Sequence, residues 1–143
     1  AITALLTGSY ILLAKKGTSL HKCLGYCYII SMVIVNVTAF CIYDLFGGFG
    51  VFHLFALLSS FAIIGGIYTI LCREKIKNWE LQHLEIMSWS VVGLYAAFFS
   101  EISVRLFSVS NPFLWIGLFG DATTTIGAFL IRKAKKKFLQ KSR

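Results

Sequence analysis

A chain of 143 residues has the length of one small domain, but 57% apolar and 15% aromatic content is outside the range of soluble domains. The net charge of +8 invites a nucleic-acid reading. Its basic residues, however, sit in short segments between long apolar runs, which explains the excess by membrane topology and excludes a nucleic-acid partner. The expected fold is an all-α integral membrane protein: an antiparallel bundle of about five transmembrane helices, four clear spans plus a short first helix, in a single domain over 1–143.

In chain order, the first apolar run covers 1–14 and would be roughly 21 Å long as a helix, short for a span that needs about 20 apolar residues. Either the chain begins upstream of Ala1 or this helix enters from the membrane boundary. With no basic stretch before it, the run is not read as a cleaved secretory signal. The polar interruption "KKGTSLHK" follows, then a span over 23–45. After the short "GGFG" connector come a span over 49–72, a basic connector, a span over 84–107, "SVSNP", and a span over 112–131. The tail 132–143, "RKAKKKFLQKSR", is strongly basic.

Thirteen of the fourteen basic residues lie after the first, third and fifth helices, leaving Arg105 alone near the other side. The positive-inside rule puts those connectors and the C-terminus in the cytoplasm and the N-terminus outside, in what is read as a bacterial inner membrane. Short connectors make consecutive helices antiparallel neighbours.

Ionisable groups inside spans are costly and therefore informative. Helix rise places Asp44, His53, Glu101 and Arg105 within roughly 10 Å of the outer surface, and His21 and His83 at the cytoplasmic helix ends. Asn36 and Asp121 fall near the midplane. Glu101 and Arg105, four apart, are expected to form an ion pair on one helix face. The outer group reads as a polar knot holding helix ends, or as an entry point for protons or cations. In the latter reading Asp121, Glu101 and Asn36 form a relay.

His53 lies roughly 20–30 Å from the other two histidines by helix rise, which rules out a three-histidine metal site. His21 and His83 open the second and fourth helices, which run in the same direction. They are the candidate cofactor ligands, one ring nitrogen of each binding a metal ion or the iron of one haem while Glu80 or Glu85 holds the other nitrogen. Otherwise both are interfacial residues bonded to headgroups or loop carbonyls. Cys23, Cys27, Cys41 and Cys72 read as small packing residues, with a thiolate site at Cys23, Cys27 and Cys72 the alternative. No phosphate loop, nucleophile elbow, HExxH or CxxC occurs, so no catalytic residue is assigned.

The ordered set "KKGTSLHKCLGYCYIISM", "GVFHLFALLSS", "HLEIMSW" and an arginine closing the next helix resembles the bacterial predicted-membrane-protein family of unknown function numbered 2306. The likeness runs from Gly8 to around Asp121. It implies a compact helical membrane protein whose recurring pattern includes Lys16, Gly17, Thr18, His21, Gly25, His53, His83, Met87 and Arg105; it implies no activity. The histidines of the second and fourth helices are also similar in placement to one haem site of the transmembrane ascorbate-reducible cytochromes b. Here the fifth helix has no histidine to pair with His53, so the likeness implies at most one haem b.

Three functions follow as expectations. One is a haem- or metal-binding redox protein using His21 and His83. The second is a non-enzymatic accessory or structural subunit, as a homo-oligomer or in a larger membrane complex. The third is a proton- or cation-coupled carrier through Asp121 and Glu101.

Overall fold

A computed structural model describes residues 1–41, 48, 50–106 and 111–141. Among them are five helices and no strand: α1 (Ile2–Leu13), α2 (Ser19–Cys41), α3 (Val51–Leu71), α4 (Trp79–Leu106) and α5 (Pro112–Lys141). Helices α2 to α5 are long and apolar enough to cross a membrane, and α1 is a shorter apolar helix. The expected all-α membrane fold, with four spans and a short first helix, is the one present.

The helix ends explain themselves locally. After α1, Ala14 turns extended, and Lys16 Nζ reaches back to donate to the carbonyls of Ile11 and Leu12 at 2.7 and 3.1 Å. These are carbonyls that a helix C-terminus leaves without an intrahelical donor. The Lys16 chain as a whole is exposed, but its ammonium end is tucked against the helix, and that desolvation lowers its pKa. Gly17 supplies φ +79°. Thr18 then caps α2, its Oγ1 accepting the His21 backbone N–H at 3.1 Å. The stretch "KKGT" is thus one helix stop and one helix start in four residues.

Three boundaries differ from the extents of the apolar runs. Helix α2 begins at Ser19 instead of 23 because Thr18 caps it, and α4 begins at Trp79 instead of 84, after Asn78 at φ +58°. Asparagine tolerates that left-handed conformation, and Glu80 in the first turn suits the positive helix end. Helix α5 opens with Pro112, which fits a first helical position, and continues to Lys141 instead of ending at 131. Lysine and alanine are good helix formers, and cations favour a helix C-terminus. At about 45 Å, α5 outruns a hydrocarbon core of about 30 Å.

The chain divides into two compact units, Ala1–Ile63 and Ile64–Arg143, with the division inside α3. In the first, α1 and α2 pack as a hairpin. The inward face of α2 carries Tyr28, Met32 and Asn36, four residues apart and at most 7% exposed. Ala4, Leu5, Gly8 and Ile11 form the buried stripe of α1.

In the second unit α4 packs along α5. The buried residues of α4 include Ser88, Ala96, Ser100 and Ser103, small side chains that let helices approach where lipid removes the hydrophobic drive. Ser100 Oγ donates to the Ile116 carbonyl at 3.2 Å, tying α4 to α5. A Cβ on Gly127 would overlap the Val92 side chain, and one on Gly66 would overlap Met87 Sδ.

Candidate functional site

The polar residues within the helices are the candidate site, and most of them are engaged by a neighbour in their own unit. In the first unit Asn36 Nδ2 donates to Ser60 Oγ at 3.1 Å, and Ser60 Oγ donates to the Ala56 carbonyl at 2.8 Å, fastening α2 to α3. His53 is 3% exposed. Its Nδ1 accepts the Gly50 N–H at 3.2 Å, while its own backbone N–H donates to the Gly50 carbonyl at 3.0 Å. The ring does what the N3 glutamate of a capping box does, while the Gly50 backbone carbonyl, in place of an N-cap side chain, accepts the His53 N–H. Phe40 lies against the same ring, centroids 6.2 Å apart. Asp44, assigned to the same polar group, lies outside the described residues. His21 is half-buried at the capped first turn of α2.

In the second unit His83 Nδ1 lies 3.0 Å from the Gly66 carbonyl and 3.2 Å from Thr69 Oγ1. Thr69 Oγ1 itself donates to the Gly66 carbonyl at 2.7 Å. The carbonyl can only accept, and the threonine proton is already committed to it. The ring therefore carries a proton on Nδ1, donated to the Gly66 carbonyl. The expected partners, Glu80 or Glu85, do not fill this role: Glu85 instead pairs with Lys135 Nζ at 2.7 Å. The continuation of α5 beyond 131 carries Lys135 to it.

Glu101 and Arg105 form the expected pair at 3.0 Å, with side chains about half exposed. Asp121 is different. It is exposed on α5, and its carboxylate has neither an ion pair nor a hydrogen bond among the described residues. Of the relay drawn from the sequence, Asn36 belongs to the first unit and is held by Ser60, Glu101 is held by Arg105, and only Asp121 lacks a partner.

His21 falls in the first unit and His83 in the second. No group of three or more His, Cys, Asp or Glu suited to a metal ion occurs among the described residues, and of the thiolate set Cys23 and Cys27 fall in the first unit and Cys72 in the second. Cys23, Cys27 and Cys41 are exposed rather than packed, which corrects the packing-residue reading for those three.

Sequence reasoning passed over several residues that matter. Lys16 and Thr18 appeared only as charge or family pattern, although a Lys-Gly-Thr stretch between two apolar runs is a legible stop and start signal. Thr69 had no sequence signal; Gly127, as a small residue in a span, reads as a place of close helix contact, but Val92 as its neighbour does not, because each pairing depends on which helix faces which.

The family described as "Predicted membrane protein (DUF2306)" matches residues 1–127. No match was found among the curated proteins or the solved structures. The family model covers most of the chain, and four membrane-length helices agree with its description: the protein belongs to this family of predicted membrane proteins.

Proposed function

We propose that the protein is a non-enzymatic accessory or structural subunit that works by associating with partner helices in the lipid bilayer. The observation supporting this is Asp121, an exposed carboxyl about 14 Å along α5 from Pro112, near the middle of the span. An acidic side chain at that depth costs about 3 kcal/mol on insertion scales and is normally turned toward a partner or a wet cavity. Asn36, His53, His83, Glu85 and Arg105 already have such partners: Asn36, His83 and Glu85 each join one helix to another, and His53 and Arg105 bond locally, to Gly50 and Glu101. In this reading the basic connectors and C-terminus are cytoplasmic, in a bacterial inner membrane. The test is the mass of the particle extracted in a mild detergent. A particle larger than one chain, reduced to one chain by Asp121→Leu, supports the reading. A particle of one chain in the wild type refutes it.

A second reading, a redox protein holding one haem b or a metal ion, is favoured by the His83 ring. A metal-binding histidine commonly donates its other N–H to a backbone carbonyl, which is the arrangement with Gly66. Bound haem would supply one-electron chemistry, with His83 Nε2 as the ligand this unit offers. Purified from cells supplied with haem, such a protein shows a sharp Soret band that His83→Ala abolishes, with His21→Ala measured beside it. A colourless, metal-free wild type ends this reading.

A further inference from the structure

The cations that end α5 divide between two sides of the helix. Residues 132–141 hold six basic residues and no acid. At about 100° per residue, Lys135 falls on the side of the buried Ile131 and the half-buried Phe138, and there it meets Glu85 of α4. Lys133, Lys136 and Lys137 lie on the opposite side. All three are exposed and make no ion pair or hydrogen bond among the described residues.

That basic face continues an apolar one. Ile126, Phe129 and Leu130, 62%, 67% and 57% exposed, share an arc of about 120° with the three lysines, so one exposed stripe changes from apolar to cationic within a turn. Depth agrees with the change. Glu85 is level with Lys135 and Val92 with Gly127, and this antiparallel register sets Trp89 of α4 level with Leu130. Trp89 is 41% exposed, and tryptophan favours the boundary between hydrocarbon and headgroups. The three lysines follow Leu130 by about 5 to 10 Å of helix rise, and the headgroup layer is about 5–8 Å deep. Side chains of a helix lean toward its N-terminus, which for α5 is the Pro112 end across the span, so these lysines lean back toward the membrane.

A lipid beside this stripe meets apolar side chains and then ammonium groups in the order of its own parts, acyl chain and then phosphate. An anionic headgroup takes the full attraction of the lysines, whereas a zwitterionic one brings its own cation and gains less. We propose that this face of α5 is a site for an anionic phospholipid, with an acyl chain along Ile126, Phe129 and Leu130 and the phosphate held by Lys133, Lys136 and Lys137.

The test reads lipid preference at a tryptophan placed in the stripe. Trp79, Trp89 and Trp115 are replaced by phenylalanine, and the reporter is Phe129→Trp or, as a control at the other end of α5, Leu114→Trp. The full chain is placed in vesicles of equal parts phosphatidylcholine and phosphatidylglycerol, with one or the other brominated on its acyl chains to quench the reporter. Phosphatidylglycerol should be preferred about fivefold at Phe129→Trp, the effect of one cation's attraction to an anionic lipid surface, and not at Leu114→Trp. Changing Lys133, Lys136 and Lys137 together to glutamine should remove most of the preference, and changing them to arginine should keep it, which guards against a folding failure. Equal quenching by the two lipids at Phe129→Trp, the same preference at Leu114→Trp, or an unchanged preference in the glutamine variant overturns the proposal. Loss of the preference on adding glycerol phosphate, a headgroup without acyl chains, also overturns it, in favour of a site for a soluble phosphate.

Discussion

Gly127 and Gly66 make similar close contacts but should respond differently to a side chain. The obstacle at Gly127 is the branched Val92, stiff at χ1, whereas at Gly66 it is the flexible end of Met87. Gly127→Val should destabilise the α4–α5 pair by about 1–3 kcal/mol, the usual penalty for overpacking, and Gly66→Ala by clearly less. Unfolding in a detergent titration compares the two directly; equal losses would mean that Met87 cannot move aside. Met87 packs where Gly66 opens α3 to α4.

At the scale of elements, the turn between α1 and α2 combines three devices: the Lys16 cap, the positive φ of Gly17 and the Thr18 cap. Thr18→Ala should cost about 1 kcal/mol, as for other N-caps, and Gly17→Ala should also destabilise because alanine is strained at that φ. Amide hydrogen exchange at His21 and Lys22 should rise in Thr18→Ala; unchanged protection would mean that the cap is not needed. The helices themselves were legible in the sequence, because apolar runs of span length have few alternatives in lipid. Their ends were less so. Apolarity marks the hydrocarbon segment, whereas Thr18, Asn78 and the lysines of α5 extend helices into water by capping, propensity and charge. The Glu101–Arg105 pair was readable because it depends only on spacing within one helix. The partners of His83 were not, because Gly66 and Thr69 lie on another helix and Glu85 is drawn off by Lys135.

For the whole molecule, polar groups in the described residues serve mainly to hold helices together. Asn36 ties α2 to α3, His83 ties α4 to α3, Ser100 ties α4 to α5, and Lys135 anchors the basic end of α5 to Glu85. Asp121, exposed on α5 and without a partner among the described residues, stands outside this scheme. The proposed association in the bilayer rests on that contrast, above all on Asp121. The most direct measurement is the mass of the particle released from native membranes in mild detergent, for wild type, Asp121→Asn and Asp121→Leu. An assembly through α5 predicts more than one chain for wild type and Asp121→Asn, and one chain for Asp121→Leu. One chain in all three, with the protein folded, would contradict it.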